Sequence, residues 1–264
     1  MTGPLIALLL ATAIPLSAVG PQRPCTTSDA CREAGIRLFI SENYKAASFE
    51  FVRAVELRPT EPENFVWLGR AYGRRAERAT GFAKIGAFSL ARKIRSCFES
   101  AVEVGPDYLP ALESLLYFYI DAPGIVGGGV GKALPIAERI SKISAARGLQ
   151  ARAAIHRERK ELEQAESLLR EAIEVDQGDV RNLLSLASFL SRSERFDESD
   201  TLFRKAFELA PDSPRVWYSR ASELVRSGRR PAEARSLLER YLSADLYASD
   251  AEPYSDARKL LERL

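Results

Sequence analysis

Apolar positions in this chain follow a repeated three-part beat: a first residue, a small one four positions on, and a third residue three further. Leu149, Ala153 and His156 make one beat, Leu183, Ala187 and Leu190 the next, and Trp217, Ala221 and Leu224 the third, each set 34 residues after the last. Steps of four and three keep all three side chains on one helical stripe, and the small residue between them lets a neighbouring helix approach. Near the start, Gly35 recurs as Gly69 and Leu38 as Tyr72, again 34 apart. A second beat follows each first one: Ala47–Phe51–Ala54, Ala165–Leu169–Ala172 and Ser199–Phe203–Ala206, opened by Tyr44, Leu162 and Phe196. Pro59, Pro106 and Pro211 stop these second helices, because proline has no N–H to give and disfavours helix in the residue before it.

The pattern predicts helix pairs at roughly 28–61, 62–108, 109–145, 146–179, 180–213 and 214–247. The second unit is longer: Phe51 to Phe98 and Ala54 to Ala101 are each 47 apart, and Phe82, Ile85, Phe88, Ala91, Ile94 and Phe98 keep helical spacing. Longer helices are therefore expected there, not a loop. The third unit carries a Pro- and Gly-rich insertion, 121–131, between its helices. A last helix over 250–264 sets Ala257, Leu260, Leu261 and Leu264 on one stripe, as a cap must to cover a final apolar face.

Phe65-x-x-Leu68-Gly69-x-x-Tyr72, and Ser199-x-x-x-Phe203-x-x-Ala206 followed by Pro211, resemble the tetratricopeptide repeat pattern. The resemblance runs over residues 28–247 and implies an all-α, right-handed superhelical solenoid of about six helix pairs. It also implies docking of protein or peptide partners on a concave surface lined by the first helices. Ala122-Pro123-Gly124, Gly127-Gly128-Gly129 and Lys132-Ala133 resemble a stretch of exported bacterial members of the family.

Export has its own signal. Residues 4–20 carry no charge and contain Leu5-Ile6-Ala7-Leu8-Leu9-Leu10, short for a membrane span and suited to a signal peptide over 1–20, with 21–27 as a linker. The expected location is periplasmic or extracellular, with no span left after removal. Cys25 and Cys31 are close enough in sequence for a bridge, and unlinked thiols are the alternative. Cys97, beside Phe98, reads as a packing residue.

Candidate chemistry is sparse. The single histidine, His156, falls where Leu190 and Leu224 recur, which makes it a packed or half-buried core residue and not a ligand. No Cys-x-x-Cys or His pair offers a metal site, and no cofactor is implied. Gly127-Gly128-Gly129-Val130-Gly131-Lys132 fails as a phosphate loop, since Val126 and Ala133 stand where glycine and a hydroxyl residue are needed. For Pro123, Gly124, Gly127, Gly128, Gly129 and Lys132 two readings stand: a structural elbow, or a cradle for an anion or peptide end. The 38 basic and 36 acidic residues leave a net charge of +2 without a basic, aromatic-interleaved stretch, so nucleic acid is not expected as a partner.

The recognition candidates are arginines in register on the first helices. Arg147, Arg181 and Arg215 are 34 apart, as are Arg192 and Arg226. Leu184, Ser188, Tyr218 and Ser222 lie between them, and Arg70 and Arg74 extend the row into the second unit. Guanidinium forks at such places favour an acidic segment or a peptide carboxylate. The Lys–Asn clamp of chaperone-tail receptors is absent, its places being held by Arg32 and Ile36. The chain thus reads as an exported, non-catalytic interaction scaffold. The alternatives are an enzyme or small-molecule binder at 121–131, and a chaperone-like holder of exported polypeptides.

Overall fold

The structure, a computed structural model, describes residues 25–78, 83–244 and 254–264. The expected signal peptide lies outside the described residues, as do Phe82, the side chain of Ile85, and residues 250–253 of the expected cap. Among the described residues there is no strand. The helices run α1 (Ser28–Ile40), α2 (Tyr44–Leu57), α3 (Pro62–Glu77), α4 (Ala83–Val104), α5 (Leu109–Asp121) and α6 (Val130–Ile143). They continue with α7 (Ala145–Glu158), α8 (Leu162–Val175), α9 (Val180–Arg192), α10 (Phe196–Leu209), α11 (Pro214–Ser227), α12 (Pro231–Ser243) and α13 (Tyr254–Leu261).

Local chemistry sets the turns. Within four of the pairs the turn residue sits in the left-handed region: Glu42 (φ 69°), Lys160 (φ 64°), Glu194 (φ 60°) and Gly228 (φ 65°). The next N–H then reaches back to the first helix: Asn43 to the Leu38 carbonyl, Glu161 to His156, Arg195 to Leu190 and Arg229 to Leu224. This bond satisfies a carbonyl that the helix end would leave orphaned. Pro62 and Pro214 begin first helices, where a missing N–H costs nothing.

Both beats face inward. Leu149, Leu183, Trp217, Ala153, Ala187 and Ala221 are buried, as are Phe51, Leu169, Phe203 and their small neighbours. The small residues matter for approach: a Cβ at Gly35 would stand 2.5 Å from the Phe51 ring, and one at Gly69 would press as closely on the Phe98 ring. Pairs are also pinned through their linkers. Buried Asn64 donates to Ser28 Oγ (2.9 Å) and the Ala54 carbonyl (3.1 Å), and buried Asn182 donates to the Asp176 carbonyl (2.8 Å). The excess of the second unit is helical, as its spacing predicts: α4 has 22 residues where most helices have 13 or 14. Ala91 and Ile94 pack on the core and Phe98 is buried, while Phe88 is exposed.

The first helices α1, α3, α5, α7, α9 and α11 touch one after another and form the inner layer. The capping helix does more than cover the last pair. Ala257 is fully buried, and Leu260, Leu261 and Leu264 share one apolar cluster with Ile36, Phe39 and Trp67 from the start of the array and Ala221, Leu238 and Tyr241 from its end. Arg74 of α3 pairs with Asp256 of α13, and Arg258 reaches Glu42 at 3.5 Å. Burial pushes the Glu42 carboxyl up, but Arg78 and Arg258 outweigh it and hold the group below its ordinary range. The first and last repeats are therefore joined by α13.

Candidate functional site: an arginine-lined cavity

The inner layer forms a concave cavity of about 530 Å³, lined mainly from α3, α5, α7, α9 and α11, with Tyr108 before α5 and Leu169 of α8 at its wall. Six arginines face it: Arg70, Arg147, Arg157, Arg181, Arg192 and Arg215. Among the described residues two acids do, Glu63 and Glu113, and each is already engaged. Arg32 of α1 takes Glu63 at 3.3 Å, and Arg147 Nε donates to Glu113 at 2.6 Å. The walls between the charges are apolar at Leu184 and Phe189 and hydroxylic at Ser185, Ser188 and Ser219.

The arginines fall into two bands. Arg147, Arg181 and Arg215 occupy the first turns of α7, α9 and α11, where the helix dipole opposes a cation. Arg157 and Arg192 occupy the last turns of α7 and α9, ten or eleven residues on, which is about 16 Å along a helix. Arg181 is held by its own N-cap, Nε donating to Asp179 at 2.9 and 3.0 Å. Burial would raise the Asp179 carboxyl, yet the Arg181 side-chain and backbone bonds keep it low. The Arg215 guanidinium is pushed below its ordinary value, first by burial and then by the charges of Arg181, Arg147 and Arg70; Asp179 pulls the other way. Arg70 also lies over the Trp67 ring, 5.1 Å from its centroid.

Seven of the residues singled out in the sequence thus meet in one cavity: Arg70, Arg147, Arg181, Leu184, Ser188, Arg192 and Arg215. The others stand elsewhere. Arg74 belongs to the α13 junction, paired with Asp256 and Glu77 (2.9 Å). Arg226 is exposed and pairs with Glu223 at 2.6 Å while donating to Ser191 Oγ. Tyr218 packs on Tyr241, ring centroids 5.1 Å apart, and Ser222 does not line the cavity. Period alone could not separate these, since a 34-residue step preserves helix position but not what the neighbouring element offers. Glu113 and Arg157 were missed. Glu113 carried a readable signal, because it stands 34 before Arg147 and breaks the row with the opposite charge.

The Gly-rich insertion is an elbow. Gly124–Val126 forms a 3₁₀ turn, and Gly127 (φ 97°) and Gly129 (φ 133°) take backbone conformations that side chains resist. A Cβ at Gly128 would collide with the Ala122 carbonyl oxygen. The N–H groups of Val126, Gly127, Gly128 and Gly129 donate to Pro123, Gly124, Pro123 and Tyr119 carbonyls, and Lys132 Nζ donates to the Gly127 carbonyl at 2.8 Å. These donors are committed inward, which favours the elbow over the cradle at Gly127, Gly128 and Gly129. The insertion lines no part of the cavity.

Cys25 and Cys31 are joined by a disulfide, Cα–Cα 5.1 Å. Glu50 lies beside them, but bonded sulfurs leave only its carboxylate as a metal ligand. Cys97 is buried in the apolar cluster that holds Trp67 and Ala71, and burial pushes its thiol up to about 12, against a smaller pull from Lys93. His156 is half-buried, its Nδ1 paired with Glu161. At the chaperone-clamp places, Arg32 bonds Asp29 and Asn64 and Ile36 is buried. Among the described residues no helix is long and apolar enough to cross a membrane.

Residues 156–223 match the tetratricopeptide repeat family model. A comparison with the curated proteins returns no match. Among solved structures the chain is similar to TTC0263, a thermophilic tetratricopeptide repeat protein of Thermus thermophilus, with 22% identity and a TM-score of 0.54 over 75% of this chain and 100% of that one. PilF of Pseudomonas aeruginosa aligns over 88% of this chain and 96% of its own at 13% identity, with a TM-score of 0.47. The first likeness extends to the fold alone. The family model thus covers two helix pairs of the second half, and the stacking of helix pairs through the rest of the described residues has the fold of a tetratricopeptide repeat solenoid.

Proposed function

We propose that this protein is a non-catalytic assembly scaffold that seats an acidic segment of a protein partner in its concave cavity. The charge of the cavity carries the reading: six arginines face it, and both acids in its wall are already paired. Two arginine bands about 16 Å apart suit an extended segment of roughly five residues at about 3.3 Å each. A single guanidinium can donate two parallel bonds to one carboxylate, and leucine and serine between the bands supply contact along the segment. Export is part of the proposal, supported by the uncharged apolar run at 4–20 and by the Cys25–Cys31 bridge, a bond that persists in oxidising compartments.

The test is fluorescence anisotropy of a labelled Glu-rich peptide against the full chain and against the Arg181→Ala, Arg192→Ala, Arg215→Ala triple variant. The wild type should bind in low salt and weaken as salt rises, and the variant should lose most of that binding with helicity retained. Unchanged peptide binding by the triple variant would remove the cavity from the proposal.

A further inference from the structure

The two arginine bands are not alike. The last-turn band holds Arg157 and Arg192. At the first-turn band, three successive repeats bring the same register position to one end of the cavity, and Arg70 joins them from α3. Arg215 lies within charge–charge range of all three other arginines there, and also of Asp179. Burial, and after it the charges of these arginines, depress the Arg215 guanidinium, and Asp179 acts the other way. Local acids relieve the neighbours singly: Glu113 is taken by Arg147 and Asp179 by Arg181.

Hydroxyls share the stripe. Ser185 stands four residues after Arg181 and Ser219 four after Arg215, and both line the cavity. Residues four apart on a helix are surface neighbours, so each of these two repeats presents a guanidinium and a hydroxyl together. A carboxylate brings one charge and two oxygens to such a set. A phosphoryl group brings nearly two charges at neutral pH and three acceptor oxygens, which several arginines and hydroxyls can share.

We infer that the first-turn end of the cavity, formed by Arg70, Arg147, Arg181 and Arg215 with Ser185 and Ser219, is a site for a phosphoryl dianion. The inference rests on the cavity being the docking site proposed above and names the group it prefers. That group reaches the site either as a phosphorylated side chain within an acidic segment or as a small phosphate compound, and the chemistry of recognition is the same.

The experiment titrates the full chain with an acidic peptide carrying one phosphoserine, the same peptide with glutamate there, and inorganic phosphate alone. The phosphoserine peptide should bind about tenfold tighter than the glutamate peptide, the gap one extra charge-assisted bond supplies. Its advantage should grow as pH rises through about 6, where the phosphoryl group takes its second charge. Arg215→Ala should abolish the advantage, and Arg215→Lys, which keeps charge but loses the fork, should restore only part of it, with circular dichroism checking the fold of each. Inorganic phosphate that displaces the phosphopeptide at equal concentration supports the site with a small ligand; phosphate that fails to do so while the phosphopeptide binds tightly supports it with a peptide-borne group. Equal affinity for the two peptides would overturn the dianion site and leave acidic-segment docking standing. Binding of neither peptide would overturn both. A phosphoserine preference that survives Arg215→Ala would also overturn it.

Discussion

Arg74 in α3 and Asp256 in α13, 182 positions apart in sequence, form an ion pair that joins the second repeat to the end of the chain. Both side chains are about four-fifths covered, and Tyr44, buried beneath, lies 5.8 Å from the Arg74 guanidinium. The pair sits at the edge of an apolar seam holding Phe39, Trp67, Leu238 and Ala257.

The first prediction concerns that junction. Spin labels at exposed Lys45 and Glu239 should report a single narrow distance in the wild type. Asp256→Arg should broaden and lengthen it, because two cations would then face each other in a largely covered place. The swap Arg74→Asp with Asp256→Arg should recover the narrow distribution. A distance unmoved by Asp256→Arg would mean that the apolar seam alone holds the ends.

Turn geometry gives a second prediction. Lys160 and Glu194 hold left-handed backbone where the sixth pair uses Gly228, 34 residues after Glu194. A side chain there costs about 1–2 kcal/mol, partly offset by the extra freedom glycine brings to the unfolded chain. Glu194→Gly should therefore raise stability by about 0.5–1 kcal/mol in urea unfolding. A loss of similar size would show that the Glu194 side chain has a role of its own.

Close packing gives the third. Gly69→Ala places a methyl against the Phe98 ring, between helices that cannot separate without opening the second pair. Overpacking of this kind costs about 1–3 kcal/mol. Gly69→Ala combined with Phe98→Leu should be less destabilised than the sum of the two single changes. Simple additivity would mean that the helices shift freely.

Acid should act through Asp200. Burial pushes its carboxyl up, yet bonds from Arg220 (2.6 Å) and Arg229 (2.9 Å) outweigh burial and hold it below the ordinary range. A carboxyl depressed on folding adds stability above its unfolded value, near about 3.9, and that stability is lost as pH falls through the folded value. Asp200→Asn should be less stable than the wild type at pH 7, and the gap should close below about pH 4. A gap constant from pH 7 to acid would trace the loss to geometry, not charge.

The repeat units were legible because each rests on local rules: helical stripes, prolines past helix ends, and small residues where helices touch. Gly35 and Gly69 were legible by spacing as places where a neighbouring helix comes close, while the rings that fill them, Phe51 and Phe98, are known only from the packing. The arginine register at 147, 181 and 215 was legible for the same reason, since one step of 34 returns to one face. The sequence stripe of Ala257, Leu260, Leu261 and Leu264 showed that α13 covers something, but not that it would meet Ile36 and Phe39 as well. Such a meeting depends on superhelical curvature summed over six pairs, and no single repeat encodes that sum. Arg74 was misplaced for this reason: its position on α3 resembles a groove position until α13 returns to it.

Joining the two ends also changes how the chain must fold. An open array can nucleate at any repeat and grow outward by neighbour contacts, with no step that spans the chain. Here the last contact closes a loop of 182 residues, at an entropic cost that grows as (3/2)RT ln n. Docking of α13 should therefore come after the pairs have stacked, as a slow step that rewards only a correctly curved array. Once made, it should hold the terminal repeats from which open arrays unravel, and the molecule is then expected to unfold as one cooperative unit and not as a row of separable ones.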